Sequence, residues 1–329
     1  MGKKPKIVVI GGGTGSFVVL SGLKEYPIEL TAVVTVADSG GSTGRLRTEF
    51  GFLPVGDIRQ CLVALAKENK HQYIHQLLLY RFSKGNGLKG HNLGNLILTA
   101  LTDMVGSEPK AIEIASKIFR LKGDVFPVSL NKVDLIAQYD DGSRIVGEHK
   151  IDQPKHKGGK RIVKLGFTKP ARLYPKARQA LLEADLIVFS PGDLYASLLP
   201  NLIVNGMKNT LVKATAPLVY ITNLMTRYSQ TDNYSAADHI EVVEKYAGRR
   251  LDKILINNRP IPKKILEFYK KEKGSLVRDD LGDDPRALRK DVLNEELVVK
   301  KKGDLVERSL VRHHPQKLAK ELIKLIKIT

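Results

Sequence analysis

The sequence predicts an α/β fold of the Rossmann-like, doubly wound type, with a mostly parallel sheet and helices on both faces. Short apolar runs rich in β-branched residues alternate with amphipathic helical segments, which is typical of a parallel sheet covered on both sides. The first run, residues 6–10, leads into a glycine-rich turn and then a helical pattern. Further along, two alternating segments flank Asp141-Gly142, which predicts a small antiparallel β-hairpin insertion.

The N-terminal third reads as a strand–helix–strand unit followed by further helices. The clearest helix is 92–104, where Leu93, Leu96, Ile97 and Ala100 recur at the i, i+3, i+4 and i+7 positions of one face. The predicted elements in this part are a strand at 6–10, a helix ending near Lys24, a strand at 30–37 and helices from Asp57, at 73–80 and at 92–104.

The middle of the chain changes to antiparallel patterning. Strands are predicted at 133–139, 143–148 and 161–167, within a β-rich insertion at about 125–168. The α/β pattern then resumes with a helix at 175–184, strands at 186–190, 218–222 and 254–256, a helix at 235–246, another after Pro260 and a C-terminal helix at about 315–327. We therefore expect a single interrupted nucleotide-binding domain over 1–329.

Composition narrows the class of protein. No apolar stretch is long enough for a transmembrane helix, and the single cysteine, Cys61, excludes a disulfide framework and a multi-cysteine zinc site. The formal net charge of +19 indicates either an anionic partner or simply a lysine-rich surface. Because no nucleic-acid recognition motif accompanies the charge, we expect no specific nucleic-acid partner. The expectation is a soluble cytoplasmic protein, with a homo-oligomer left open.

The first glycine-rich turn predicts a phosphate site. Backbone N–H groups at the start of a helix, aided by the helix dipole, favour an anion, which makes Gly11, Gly12, Gly13, Thr14 and Gly15 candidate ligand residues. The turn departs from the G-x-G-x-x-G fingerprint because Ser16 holds the third glycine position, and no G-x-x-x-x-G-K-[ST] motif occurs. A tight strand-to-helix connection without a ligand is the alternative.

A second polar segment follows the second predicted strand. Asp38 at that strand's end is placed to accept hydrogen bonds from a ribose or sugar diol. Gly40, Gly41 and Ser42 follow in what we interpret as an anion-binding loop, and Arg45 is positioned to balance the charge. The alternative is a flexible loop in which Asp38 caps a helix.

Polar runs after other elements converge on the same edge of the predicted sheet. Asp57 is either a helix N-cap or a ligand contact, and His91 and Asn95 lie in a Gly/Asn-rich run that leads into a helix. Gly192 and Asn223 each follow a buried strand. If the protein is an enzyme, Asp57 and His91 are the catalytic candidates.

Together these runs closely resemble the gluconeogenesis factor family of YvcK-like proteins, which is related to the CofD-like 2-phospho-L-lactate transferases. The motifs are GGGTG at 11–15, VTVAD at 34–38, GDIR at 56–59, GNGLKGHNLGN at 85–95, NLMT at 223–226, AADH at 236–239 and RH at 312–313. The resemblance implies cytoplasmic proteins that bind a UDP-sugar such as UDP-N-acetylglucosamine. It further implies a role in cell shape and cell-wall precursor metabolism on gluconeogenic carbon sources, with Thr14, Asp38 and Arg312 as ligand contacts.

Two departures from the family pattern bear on the chemistry. A frequent Asp-Asp pair is Asp38-Ser39 here, and the usual Gly-Pro-Gly-Ser ends in Asp193, which we expect to cap the following helix. We therefore favour a regulatory UDP-sugar-binding protein that needs no turnover, no cofactor and no metal site. The alternative is a CofD-like phospholactate-type transferase using a nucleotide diphosphate donor and Mg²⁺. A nicotinamide-dependent oxidoreductase is disfavoured by Ser16.

Overall fold

The computed structural model describes residues 3–67, 73–153, 159–295 and 310–326. Its strands are β1 (Lys6–Gly11), β2 (Glu29–Val34), β3 (Asp124–Pro127), β4 (Leu135–Tyr139), β5 (Arg144–Val146), β6 (Ile162–Phe167), β7 (Leu186–Phe189), β8 (Leu218–Ile221), β9 (Lys253–Asn257) and β10 (Ala287–Lys290). Seven of them form one sheet in the order β10-β9-β8-β7-β1-β2-β3, and every neighbouring pair in it is parallel.

Helices cover this sheet and connect its strands. They are α1 (Gly13–Leu23), α2 (Gly41–Phe50), α3 (Gly56–Leu65), α4 (Tyr73–Leu79), α5 (Leu93–Val105), α6 (Glu108–Ile118), α7 (Glu148–Asp152), α8 (Pro175–Leu182), α9 (Leu199–Leu202), α10 (Met207–Lys213), α11 (Ala236–Ala247), α12 (Lys263–Lys271) and α13 (Pro315–Ile323). A π-helical turn, Leu194–Leu198, joins β7 to α9.

The sheet has two apolar faces because successive strand residues point in opposite directions. In β1, Val8 and Ile10 belong to one buried cluster, and Ile7 and Val9 belong to the cluster on the other face. All four side chains are at most 2% exposed. This burial on both sides explains why β1 reads as a continuous apolar run rather than an alternating one.

The three remaining strands form a small antiparallel sheet in the order β5-β4-β6. Leu135, Ala137 and Tyr139 of β4 are buried in the same cluster as Val8 and Ile10, so this sheet packs onto the main core. The predicted fold class is therefore confirmed, including the parallel sheet and the small antiparallel insertion. Strand β3 lies at the start of the range predicted for the insertion, but it pairs with β2 in the main sheet.

The structure corrects several local expectations. The segment read as a second glycine loop is the beginning of helix α2, which starts at Gly41 with Gly40 as its N-cap. Strand β2 ends at Val34, so Asp38 lies four residues beyond the strand and not at its end. Helix α6 and strands β3 and β10 were not predicted. Helix α13 ends at Ile323, and residues 327–329 lie outside the described part.

The chain crosses the sheet in two directions from its centre. It runs from β1 outward to β2 and β3, and after the insertion it returns to β7 on the other side of β1 and continues to β10. The change of direction places a topological switch point between β1 and β7, where open α/β sheets bind ligands beyond the carboxyl ends of the strands. No helix in the described ranges has the length and apolar character required to cross a bilayer.

Candidate functional site at the switch point

The start of α1 packs tightly against the loop after β7. A Cβ atom on Gly15 would overlap the carbonyl oxygen of Pro191, so only glycine lets the two segments approach this closely. Beside them the hydroxyls of Ser16 and Ser190 hydrogen-bond at 2.9 Å. Ser16, which replaces the third glycine of the dinucleotide fingerprint, therefore fastens α1 to the end of β7.

The first turn of α1 holds a carboxylate from another helix. Gly13, with φ of 60°, donates its N–H to Asp57 Oδ1 over 3.0 Å. Asp57 lies in the first turn of α3, whose N-cap position is Val55. The side chain thus satisfies a donor of α1 rather than serving as the N-cap of α3.

We call the junction between a strand and the start of the next helix a corner. The first corner is the 11–15 turn at the start of α1, and the start of α2, after β2, forms the second. Asp38 Oδ1 accepts the N–H of Gly40 over 2.9 Å. A Cβ on Gly56 would collide with the carboxylate of Asp38 and the hydroxyl of Thr43. The first residue of α3 is therefore packed directly beneath Asp38, and this brings the starts of α2 and α3 together.

A buried polar network stands behind the two corners. Asn95 donates to the hydroxyls of Ser42 and Thr43, both at 3.3 Å, and its Oδ1 accepts from Arg59 Nε at 2.8 Å. Ser42 Oγ also lies 3.2 Å from His91 Nδ1. Ser42 and Asn95 are 4% and 3% exposed, so their side chains hold the starts of α2, α3 and α5 in place.

The Gly/Asn-rich run leads into helix α5, as the sequence predicts. Asn92 is the N-cap of α5, and its side chain accepts the N–H of Asn95. His91 is buried, and burial together with the nearby charge of Arg45 lowers its pKa. Arg45 itself is exposed at the rim and donates to the carbonyl of Lys89 over 3.1 Å.

The insertion contributes a side chain that sequence reasoning missed. Glu148, the first residue of α7, accepts the N–H of Ser39 over 3.3 Å, and the next N–H, of His149, donates to Ser39 Oγ over 3.1 Å. These two bonds dock α7 onto the corner that contains Asp38. The only sequence signal was the position of Glu148 at the end of a predicted hairpin strand, 109 residues from its partner.

The loops after β7 and β8 meet the other end of α7. Arg227 Nη2 pairs with Asp152 Oδ1 at 3.1 Å, and Arg227 Nε lies 3.9 Å from Asp193 Oδ1. Gln230 Nε2 also donates to Asp152 Oδ1 over 3.3 Å. Asp193 occupies the N-cap position of the π-helical turn but makes no capping bond, so the predicted capping role of its side chain is wrong. The carboxylate faces Asp152 and Arg227 instead.

Gly192 and Asn223 bind each other across the same edge. Asn223 Nδ2 donates to the carbonyl of Gly192 over 2.7 Å, and the N–H of Gly192 donates back to Asn223 Oδ1 over 3.3 Å. Arg312 is next to His313, which is buried and bonded to the backbone of Thr222 just beyond β8. The C-terminal Arg-His pair therefore returns to the carboxyl edge of the sheet.

Carboxylates dominate the electrostatics of the switch point although the chain as a whole is basic. Burial, and then the charge of Asp38, raise the pKa of Asp57 to about 7. Burial and the neighbouring Asp152 raise the pKa of Asp193 to about 6. Burial raises the pKa of Asp38, and that of Glu148 rises well above its ordinary value for the same reason, with Asp38 adding repulsion. A ligand bound at the switch point would therefore lie near carboxyl groups with raised pKa values as well as near helix N-termini.

The candidate residues thus lie at one edge of the sheet, in distinct roles. The residues of the 11–15 turn, with Asp38, Gly40 and Gly41, form the two corners, and Arg45 and Asn223 border them. Ser42, His91 and Asn95 lie behind them as support. Arg312 adjoins His313, which lies against Thr222 beyond β8. Within the described ranges, no group of three or more His, Cys, Asp or Glu side chains is arranged to hold a metal ion.

Known proteins resemble this chain along almost its whole length. Residues 7–298 match the family model described as 2-phospho-L-lactate transferase CofD. The gluconeogenesis factor of Bacillus subtilis is 40% identical over 330 residues, covering 99% of this chain and 100% of that protein. The gluconeogenesis factor of Listeria monocytogenes is 39% identical over 330 residues, covering 98% of this chain and 96% of that protein.

A crystal structure shows the same fold. A Bacillus halodurans protein superimposes with a TM-score of 0.88 at 36% sequence identity, covering 98% of this chain and 100% of that one. The family resemblance carried by the glycine-rich, GDIR and NLMT motifs is therefore confirmed. The chain belongs to the CofD family and, within it, to the gluconeogenesis factor proteins.

Proposed function

We propose that this protein binds a nucleotide diphosphate sugar, of the UDP-N-acetylglucosamine type, at the carboxyl edge of its sheet. One observation carries the proposal: the N-termini of α1 and α2, which follow the neighbouring parallel strands β1 and β2, open at the same edge beside the switch point. Each supplies backbone N–H groups and the positive end of a helix dipole, the combination that favours a diphosphate.

Each part of the ligand has a partner at this edge. The diphosphate lies against the 11–15 turn, including Thr14, and the start of α2. Asp38 takes a hydroxyl pair of the ribose or sugar, since a carboxylate oxygen accepts two such bonds. Arg45 at the rim and Arg312 beside β8 supply positive charge. Binding alone is sufficient for a regulator of cell shape and cell-wall precursor metabolism in the cytoplasm, and no turnover is required.

A transferase remains the second candidate, and the acidic character of the site favours it specifically. Carboxylates are hard oxygen ligands of the kind that Mg²⁺ prefers, and Asp38 and Asp57 are close enough for the charge of Asp38 to raise the pKa of Asp57. In this alternative, Asp57 is the group near the acceptor hydroxyl. His91 is the weaker candidate because its Nδ1 is engaged with Ser42.

Thermal unfolding with a panel of nucleotides tests the proposal. The purified protein is melted alone and with UDP-N-acetylglucosamine, UDP, GDP or NAD, because a ligand at about one hundred times its Kd adds about 2.7 kcal/mol of stability. We expect UDP-N-acetylglucosamine to raise Tm, and the Asp38→Ala and Arg312→Ala variants to lose that rise. Asp103→Ala, an exposed change on α5, is the matched control and keeps the rise.

Other outcomes discriminate between the candidates. A rise with GDP alone, together with Mg²⁺-dependent product formation that Asp57→Ala abolishes, would favour the transferase. The absence of any rise with all four ligands would contradict nucleotide binding at this edge.

A further inference from the structure

Helix α4 turns large apolar side chains to solvent on its outer face. Tyr73, Leu77 and Tyr80, the last directly after the helix, recur at the i, i+4 and i+7 positions and so lie on one side. They are 66%, 51% and 49% exposed. Ile74 and Leu78 on the inner face pack into the core cluster that contains Ile7 and Val9. The core is thus completed by the inner face, and the outer face remains available to a partner.

The loop that follows α4 is held beside this face by hydrogen bonds and a ring contact. The N–H of Gly90 donates to the carbonyl of Phe82 over 2.8 Å, and the N–H of Phe82 donates to the carbonyl of His91 over 3.0 Å. The ring of Phe82 packs edge-on against that of Tyr80, with 5.1 Å between the centroids. The loop is therefore closed on itself and joined to the end of the apolar stripe.

The charges along this stretch have one sign. Residues 73–91 contain no Asp or Glu and three cations, Arg81, Lys84 and Lys89. The guanidinium of Arg81 donates through Nη1 to the carbonyl of Gly90 over 2.7 Å and so braces the loop, whereas both lysines are exposed. Helix α2 brings one charge of each sign near His91, those of Arg45 and Glu49. The loop therefore keeps its positive charge.

Exposed leucine and tyrosine beside lysine, without an acid, is the composition of surfaces that bind membranes peripherally. We define the α4 surface by six residues: Tyr73, Leu77, Tyr80, Lys84, Leu88 and Lys89. We propose that this surface binds the face of an anionic lipid bilayer, where Leu77 and Leu88 enter the interface and the two lysines lie at the headgroups. The inference does not depend on the proposed nucleotide sugar.

Charge complementarity selects a bilayer over other occupants of the α4 surface. Two copies of a chain with a formal net charge of +19 repel each other, and a symmetric contact would bring each copy's lysines towards the other's. A nucleic acid would stack its bases on the tyrosines and leave Leu77 and Leu88 without a role. An anionic bilayer attracts the lysines, each of which strengthens binding about fivefold, and it also accepts the leucines.

Sedimentation with lipid vesicles, in the absence of nucleotide, tests the proposal. One set of vesicles contains equal amounts of phosphatidylcholine and phosphatidylglycerol, and the other contains phosphatidylcholine alone. We expect the wild type to sediment with the mixed vesicles only. Binding should weaken at about 1 M salt, where the screening length falls to about 3 Å.

Paired lysine variants separate the α4 surface from the general positive charge. Lys84→Gln combined with Lys89→Gln should weaken binding to mixed vesicles by about tenfold or more. Lys263→Gln combined with Lys264→Gln removes the same charge from exposed positions on α12 and should cause a far smaller loss.

An apolar pair tests whether side chains enter the interface. Leu77→Gln should weaken binding by about tenfold, because the variant loses the transfer of a leucine side chain out of water. Val212→Gln changes an apolar residue of similar exposure, 55%, on α10 and should leave binding nearly unchanged. Thermal unfolding confirms that each variant is folded.

Four results would overturn the inference. The wild type would fail to bind the mixed vesicles, or the two lysine pairs would cause equal losses, so that binding reports net charge alone. Sedimentation velocity would show a dimer that Leu77→Gln dissociates, without vesicle binding, which would assign the surface to a second copy. Binding of a single-stranded oligonucleotide in place of vesicles would assign it to a nucleic acid.

Discussion

Gly15 at the start of α1 lies directly against the backbone of Pro191, in the loop after β7, with no space for a Cβ atom between them. The contact joins the two strands that flank the switch point, β1 and β7. Their loops are the walls of the candidate site. This backbone approach, together with the Ser16–Ser190 and Gly13–Asp57 hydrogen bonds, sets the position of the α1 N-terminus.

Gly15→Ala is expected to destabilise the protein although Gly15 is helical. Alanine normally improves a helix interior by about 1 kcal/mol, but here its methyl group meets backbone atoms that cannot rotate away. The overlap forces a shift that costs about 1–3 kcal/mol. Urea unfolding followed by circular dichroism measures the loss.

Gly166→Ala is the matched control because a Cβ at Gly166 in β6 meets no atom within 4 Å. Its stability should change by less than about 0.5 kcal/mol. Equal stabilities of the two variants would show that α1 and the loop after β7 move apart at little cost. That result would contradict the tight packing of Gly15 against Pro191.

The parallel sheet was predictable because β1, β7 and β8 are buried on both faces, and such strands consist of consecutive apolar residues. The edge strand β10 carries no such signal. None of its residues, Ala287–Lys290, is buried, and it pairs with β9 alone. Helix α2 was hidden because glycine is a poor helix former, whereas the structure places Gly40 at the N-cap and buries Ser42 and Leu46 of the helix.

Asn95→Ala should be among the most destabilising changes near the site. It removes the acceptor for Arg59 Nε and the donor for the hydroxyls of Ser42 and Thr43. Arg59, which is 8% exposed, would lose one of its hydrogen-bond partners, and the loss of a hydrogen bond to a charged group costs about 1.5–3 kcal/mol. Thermal unfolding measures this loss. Asn209→Ala, an exposed change on α10, should leave Tm nearly unchanged, and a similar Tm for both variants would contradict the structural role.

His313 gives the stability of the protein a defined dependence on acid. Burial lowers its pKa to about 4, whereas an unfolded histidine titrates near 6.5. Between these values the unfolded chain binds more protons, so stability is complete above about pH 6.5 and falls by about 3 kcal/mol as pH drops to about 4.

The contribution of His313 is measured as the difference between wild type and His313→Gln over that pH range. The variant should lose less stability on acidification, because glutamine does not titrate. Asn209→Gln, an exposed change on α10, should follow the wild-type profile. Parallel profiles for wild type and His313→Gln would show that His313 is accessible to protons in the folded state.

The convergence of the site was predictable only in part. Because loops at the carboxyl ends of parallel strands share an edge, the sequence predicts that Asp38, Gly192 and Asn223 lie together. It did not reveal Glu148 or Asp152, because the insertion's orientation is set by the packing of Tyr139 and Ile151 onto the main core. Nor did it reveal that Asp57 of α3 reaches the first turn of α1, which depends on how the two helices pack.

Glu148→Gln is expected to stabilise the folded protein, contrary to the usual effect of changing a partly buried residue. Its amide oxygen still accepts the N–H of Ser39, while the negative charge that faces Asp38, Asp152 and Asp57 is removed. The raised pKa of Glu148 means that the folded wild type loses stability as pH rises above about 4.5, until the folded-state carboxyl has ionised. The gain in Tm from Glu148→Gln should therefore grow as pH rises towards about 8.

Glu267→Gln, a change at an exposed position on α12, should give no such gain. A Tm for Glu148→Gln at or below that of the wild type at about pH 8 would show that the charge of Glu148 is compensated within the folded chain, and that the acidic switch point is less repulsive than its geometry indicates.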